Sequence, residues 1–407
     1  MQYRQAIDWL FATQMFGIKL GLDGPRALLK EYLAFPRHGV RVIHVAGTNG
    51  KGSTCAMIDS IARASGRRCG LFTSPHLIDY RERVRVCGEE IPEETCAAML
   101  TALRAICERM ETHPTFFEIS LALAMRWFRE RECDLIVLET GMGGRLDATT
   151  AVPADVCVLT PIGLDHTEWL GDTLAEIAAE KAGIFVVGKP AVIAPQDPEA
   201  MCVLEKHANE SRSPLHVIDE PLLGYSIALP GAHQRWNAAL AAAALHHAGI
   251  RLSADIVRQG LANVDWPGRF EEIRPHIILD GAHNPQSAQI LAKTWRETHG
   301  ETRPTLIFSA VSSKDIRGIL EFLSPLAARI FICPVDSPRV ISSAGLAAAL
   351  PENSPPATCF ENFQTAFAAA ADPPASAENP ILIAGSLFLV GEARAFFTRG
   401  NFLPSAQ

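Results

Sequence analysis

Short apolar runs alternate with longer amphipathic stretches along almost the whole chain. The runs at 40–46, 69–73, 134–139, 155–160 and 190–194 are rich in Val, Ile and Leu, the pattern of strands buried on both faces. Among them, 53–65, 92–111, 116–131 and 173–183 have the spacing of helices. The second half restarts the alternation. Helices are predicted at 233–249 and 254–263, and then strands at 276–280, 305–309, 329–333 and 380–384, with helices at 285–298, 314–326, 343–350 and 362–371. Strands alternating with helices predict a doubly wound α/β fold. Val264-Asp265-Trp266-Pro267-Gly268-Arg269-Phe270 breaks the pattern. It suggests a domain over 1–267, a connection over 268–272 and a second domain over 273–407. The stretch 372–380, with Pro373 and Pro374, is expected to be a loop.

The chain has 407 residues, 48% of them hydrophobic and 20% charged, enough to bury sizeable cores. A net charge of −8 argues against a general nucleic-acid or membrane-surface binder. The ten cysteines are scattered, with no CxxC pair or zinc-type spacing, which fits thiols in a reducing cytoplasm. Met1–Gly17 is amphipathic and interrupted by Arg4 and Asp8, unlike a secretory signal. No apolar run approaches the roughly 18 residues of a membrane span.

The chemistry starts at the end of the first run. Val42-Ile43-His44-Val45-Ala46 leads into Gly47-Thr48-Asn49-Gly50-Lys51-Gly52-Ser53, and a helical pattern follows. Strand, glycine-rich turn, lysine and hydroxyl, then helix is a phosphate cradle: glycines let backbone N–H groups wrap an anion, and the helix N-terminus favours negative charge. Lys51 would reach the β/γ-phosphates of ATP, with Ser53 or Thr54 near Mg2+. The loop departs from the usual Walker pattern, with Val45 in the first glycine slot and Gly52 after the lysine.

Other clusters also stand at strand ends. Thr73-Ser74-Pro75-His76 ends the second strand and could be only a polar turn. Glu139 tips an apolar strand, a usual Mg2+ position in proteins with such a loop, and Gly141-Met142-Gly143-Gly144-Arg145-Leu146-Asp147 follows it. From chemistry alone, His166 reads as a capping or core histidine and Lys181 as a lysine balancing a helix C-terminus. In Asp280-Gly281-Ala282-His283-Asn284-Pro285, Asp280 could contact a ribose or adenine or belong only to a helix-entry turn, and Asn237 reads as a polar residue within a helix.

Taken together and in order, these motifs resemble the folylpolyglutamate synthase/dihydrofolate synthase branch of the Mur ligase superfamily, from about residue 15 to about residue 390. The resemblance implies a P-loop domain with a mostly parallel sheet, followed by a smaller Rossmann-like α/β domain. It implies that Thr48, Asn49, Gly50, Lys51, Gly52 and Ser53 bind ATP phosphates, with Asn237, Arg269 and Asp280 contacting ATP between domains. Ser74, Glu139 and His166 would coordinate Mg2+. Lys181 matches a lysine that family members carry as a carbamate, and His283 matches a histidine close to the active site. Thr115, Phe116, Phe117 and Glu118, with Leu146, Asp147 and Ala148, match segments that hold the pterin substrate, as does the early stretch Gly17–Leu20. Lys19 stands where the family pattern has an acid, and Thr149-Thr150 replaces the more usual Thr-Asn. The implied reaction is ATP-dependent ligation of L-glutamate to dihydropteroate or to reduced folates through an acyl phosphate, in a cytoplasmic monomer whose domains close over the reactive intermediate. A peptidoglycan-type Mur ligase, a P-loop kinase or GTPase, and a non-catalytic nucleotide-binding module are the competing readings. The segments 73–77 and 116–118 favour a folate enzyme over the first. The absence of an NKxD motif argues against a GTPase, and the presence of Lys51, Glu139, His166 and Lys181 argues against the third.

Overall fold

The computed structural model describes residues 1–17, 19, 21–337, 339–398, 400 and 402. The chain divides into two compact units. One comprises Met1–His76, Arg81–Ala228 and Gln234–Asp265, and the other comprises Leu77–Tyr80, Leu229–His233 and Trp266–Gln407. Both units are α/β. Among the described residues, no helix is long and apolar enough to cross a membrane.

The first unit is built on a sheet of β1 (Arg41–Ala46), β2 (Cys69–Phe72), β3 (Val84–Val86), β4 (Glu89–Glu90), β5 (Leu135–Glu139), β6 (Val156–Leu159), β7 (Ala191–Ile193) and β8 (Leu215–Val217). Their order is β4-β3-β2-β5-β1-β6-β7-β8. From β2 to β8 all neighbours are parallel, and β3–β4 is an antiparallel hairpin on the β2 edge. Every residue of β5 and β6 is buried, as the continuous apolar runs require of strands with helices on both faces. The topology places the site. From β1 the chain crosses to β2, returns to β5 between them, and then continues to β6 on the far side of β1. The C-terminal end of β1 is therefore a topological switch point, where open α/β sheets leave a crevice for ligands.

The helix after β1 runs Lys51–Ala64 and starts two residues earlier than the apolar spacing suggests, because Gly50, at φ +89°, acts as its N-cap. Lys51, Gly52 and Ser53 thus form its first turn. Residues 52–62 of this helix are all buried, and Ser60 Oγ donates to the Gly260 carbonyl at 2.7 Å, docking it on the helix Ala254–Ala262. Helix Pro198–Ser211 and β8 have no counterpart among the expected elements. The helix is largely polar, though Asp197 caps it and Pro198 opens it.

The second unit is built on β9 (Glu271–Arg274), β10 (Ile277–Asp280), β11 (Thr305–Phe308), β12 (Arg329–Ile332), β13 (Ala357–Cys359) and β14 (Ile381–Ala384), in the order β13-β12-β11-β14-β10-β9. Among these described strands the β9–β10 pair is antiparallel and the other pairs are parallel. Leu306 and Phe308 face one apolar layer, with Trp295 and Leu320, while Ile307 faces the other, with Phe363 and Leu389. This is the two-residue alternation of a strand covered on both sides. Glu271 and Glu272, within the expected connection, belong to β9.

Candidate active site

The loop 47–50 leaves β1 at the switch point and is tied to the segment that leaves β6. Thr48 and Asn49 donate their N–H groups to the Pro161 carbonyl at 3.0 and 3.3 Å. Thr48 Oγ1 and the Gly163 N–H and C=O form two 3.0 Å hydrogen bonds. Gly47 has φ +140°, and a Cβ there would lie 1.9 Å from Thr160 Oγ1. At Gly50 a Cβ would lie 2.8 Å from Asn237 Oδ1, so the buried Asn237 stands directly against the loop. The N–H groups of the first helical turn have no helical partner, which makes this terminus an anion site. Among the described residues, Thr54 Oγ1 in the same turn is a buried hydroxyl without a hydrogen-bond partner. Gly47→Ala is expected to lower the thermal midpoint and weaken ATP binding, since left-handed backbone alone costs a side chain roughly 1–3 kcal/mol. Unchanged ATP affinity in titration calorimetry would mean the loop does not hold nucleotide in this conformation.

Two ammonium groups converge on one carbonyl of this loop. Lys51 Nζ donates to the Gly47 and Thr48 carbonyls at 3.1 and 3.2 Å. Lys181 Nζ, 4% exposed, donates to the same Gly47 carbonyl at 2.9 Å. Burial, reinforced by the Lys51 charge, pushes the Lys181 amine down from 10.5 to about 7, against the pull of Asp165 and Asp147. Lys181 lies near the end of helix Leu174–Ala182, and the loop after β5 packs on that helix: Arg145 N–H donates to the Glu180 carbonyl at 2.8 Å.

Glu139, 4% exposed at the tip of β5, accepts the Ser74 N–H on Oε2 at 3.0 Å. Two of the expected Mg2+ ligands are thus neighbours across the parallel β2–β5 pair. His166 is exposed on the loop after β6, at φ +53°, where it caps the short helix Thr167–Leu170. All three stand on loops or tips at the C-terminal edge of the sheet. Among the described residues, no three His, Cys, Asp or Glu side chains are grouped to hold a metal. A buried carboxylate beside a serine is nevertheless a hard-oxygen donor set that suits Mg2+ or Mn2+.

In the expected substrate segments, Thr115 and Glu118 close a capping box on helix Phe116–Glu130, with Thr115 N–H donating to Glu118 Oε2 at 2.6 Å. Phe116 is buried, stacked on Phe11 at 5.5 Å, with the Arg83 guanidinium 5.1 Å from its ring centre. Phe117 is half-buried and lies against Gly141, where a Cβ would come within 2.7 Å of its Cζ. Its ring therefore abuts the loop that carries Leu146, Asp147 and Ala148. Asp147 accepts the Met142 N–H on Oδ2 at 2.9 Å and the Thr149 N–H on Oδ1 at 3.0 Å. Burial pushes its carboxyl up, and these donors oppose the shift. Lys19 Nζ donates to the His113 carbonyl at 2.7 Å, while Ile18 and Leu20 lie outside the described residues.

The second unit gathers Arg269, Asp280 and His283 at the C-terminal end of β10. Asp280 accepts the Phe270 and Ala282 N–H groups at 2.9 and 2.8 Å. Burial raises its carboxyl, opposed first by the Arg269 charge. His283 Nδ1 stands 2.8 Å from the Gly281 carbonyl. A carbonyl only accepts, so Nδ1 carries a proton and donates it there.

Residues 45–217 match the Mur ligase middle domain, and residues 268–387 match the Mur ligase, glutamate ligase domain. A dihydrofolate synthase/folylpolyglutamate synthase from Bacillus subtilis is 36% identical over 371 residues, spanning 83% of this chain and 86% of that protein. E. coli FolC, solved in complex with DHPP and ADP, superposes with a TM-score of 0.88 at 32% identity, over 97% of this chain and 98% of that one. A bifunctional folylpolyglutamate synthase/dihydrofolate synthase, solved with Mn, AMPPNP and L-glutamate bound, gives a TM-score of 0.86 at 32% identity, over 97% and 98%.

Proposed function

The chain belongs to the dihydrofolate synthase/folylpolyglutamate synthase family of Mur-type ligases, and from that premise we propose that it uses ATP to join L-glutamate to dihydropteroate, to the γ-carboxylate of reduced folate glutamates, or to both. It is an ATP-dependent ligase of folate metabolism. The observation that carries the assignment of residues is the convergence of Lys51 and Lys181 on the Gly47 carbonyl at a helix N-terminus.

The acid's carboxylate oxygen attacks the γ-phosphorus of ATP, the bond to the ADP oxygen breaks, and an acyl phosphate forms. The amine of glutamate then attacks the acyl carbon, phosphate leaves and a proton is released. An anion must approach a polyanion, so cations and N–H donors must be in place beforehand. Lys51 and the free N–H groups at the start of helix Lys51–Ala64, through Gly50, Gly52 and Ser53, serve the phosphates, on a loop that Thr48 and Asn49 hold in place through the Pro161 carbonyl. A divalent cation held by Ser74, Glu139 and His166 would neutralise phosphate charge. Lys181, with part of its amine neutral near pH 7, is in the form that adds CO2 to give a carbamate, which would replace a cation with an anion beside Lys51. Asn237, Arg269 and Asp280 contact the nucleotide, and His283 serves the reacting groups. Phe117, on a helix positioned by Thr115, Phe116 and Glu118, holds the pterin together with Leu146, Asp147 and Ala148 of the loop after β5.

The ATP-binding domain is assigned to 1–267 and the glutamate ligase domain to the chain that follows, with 268–270 rather than 268–272 leading into its first strand, β9. The protein is taken to act as a cytoplasmic monomer, with no nucleic-acid or membrane partner. The test is ADP release by purified protein with Mg2+ and ATP, with dihydropteroate and tetrahydrofolate run in parallel. Release that needs both an acid and L-glutamate is expected. Turnover only with a UDP-linked peptide would move the chain to the cell-wall ligases.

A further inference from the structure

His44 stands in the middle of β1, where the pattern Val42-Ile43-His44-Val45-Ala46 otherwise supplies only apolar side chains. It is 1% exposed, and its Nε2 lies 2.7 Å from Thr149 Oγ1 and 3.0 Å from Thr140 Oγ1. Both hydroxyl residues are themselves buried. Burial pushes the imidazole down to about 4, so the ring is neutral and only one of its nitrogens carries a proton.

The directions of the hydrogen bonds say which nitrogen. Thr149 Oγ1 also makes a short hydrogen bond to Asp147 Oδ1, as donor to the carboxylate. Its one proton is thereby used, so its oxygen accepts from His44, and Nε2 is the protonated nitrogen. The result is a donor chain across three elements: Nε2–H of β1, the Thr149 hydroxyl, and the Asp147 carboxylate of the loop after β5. His44 lies three residues before Gly47, so one strand carries both the nucleotide loop and the anchor of the substrate loop.

We propose that His44 is a positioning residue for the pterin-bearing acid: its Nε2–H fixes the Thr149 hydroxyl, which holds the Asp147 carboxylate in the orientation that receives the substrate. The inference rests on the proposed placement of Asp147 at the pterin. The chain acts on substrate orientation, not on phosphate binding, so its loss should weaken the acid and spare ATP.

Kinetics of His44→Phe, His44→Gln and Thr149→Val provide the test, alongside 15N NMR of the wild-type histidine ring at pH 7, assigned by its disappearance in His44→Gln. His44→Phe and Thr149→Val are each expected to raise the KM for the acid about tenfold or more, the worth of a hydrogen bond serving a charged group. The KM for ATP should stay within about twofold, because the phosphate loop is untouched. The double variant should be no worse than either single one, since both break one chain. His44→Gln places an amide N–H near Nε2 and should recover most of the loss, which a merely structural role would not require. Equal weakening of ATP and acid, or no recovery with Gln, would overturn the proposal. So would a ring protonated at Nδ1, a readout that needs no substrate. A wild-type protein that turns over neither acid would count against the proposed function, and the ring tautomer would still decide the His44–Thr149 link.

Discussion

Lys51→Ala is expected to lower kcat by about 10²–10³-fold or more, as for the loss of one preorganised donor to developing charge, with little change in thermal midpoint. The side chain is part-buried and, among the described residues, its hydrogen bonds go to the Gly47 and Thr48 carbonyls within its own loop. Its removal leaves the sheet and the helix Lys51–Ala64 with their packing. What disappears is the cation that lets a carboxylate approach the γ-phosphate. Steady-state ADP release and a thermal melt check both halves of this expectation. A variant with near-normal kcat would remove Lys51 from the chemistry.

Lys181→Met is expected to separate activity from stability. Turnover should fall by about 10²–10³-fold, again the loss of a charged group in a closed site. Stability at pH 7 should hold or rise, because a buried amine is exchanged for an apolar chain of similar length. The pH dependence fixes the sign. The folded-state value of about 7 lies below the 10.5 of an ordinary lysine, so between these limits the unfolded chain binds more protons. Stability of the parent protein therefore rises with pH across that window, and below about pH 7 the cost of burying the ammonium is fully present. The methionine variant lacks this slope, so the two proteins should converge in stability toward pH 10. Melts from pH 7 to 10 in CO2-depleted buffer, which keeps the amine uncapped, make the comparison. A parent protein more stable than the variant at pH 7, with no convergence, would mean that Lys181 is buried as a well-paired cation.

Much of this fold is written locally. β5, β6, β11 and β14 are buried on both faces, so each declares itself as an almost wholly apolar run. Edge strands do not. β9 reads Glu-Glu-Ile-Arg and β13 is exposed throughout, so neither has an apolar signal to find. Helix Leu387–Thr398 is apolar along most of its length, which hides its period. The site divides in the same way. The phosphate loop is legible because its strand, turn and helix are contiguous. Lys181 is not, since the Gly47 carbonyl that defines its role lies 134 residues away. By its own segment it is a helix-end lysine, and only the resemblance raised it further. Ser74 and Glu139 are 65 residues apart and meet because β2 and β5 are paired. His44 sits inside what reads as an apolar run, and its meaning needs Thr149, which lies 105 residues on.

The most direct test of the central claim, that this chain activates a pterin-linked carboxylate with ATP for attack by glutamate, follows the carboxylate oxygens. The acid that turns over is prepared with 18O in the reacting carboxylate and incubated with protein, Mg2+, ATP and L-glutamate. Mass spectrometry of both products should find one 18O in each inorganic phosphate released, and one retained in the amide of a glutamate adduct. Unlabelled phosphate, with or without an adduct, would contradict the account, because the carboxylate oxygen would never have been bonded to phosphorus.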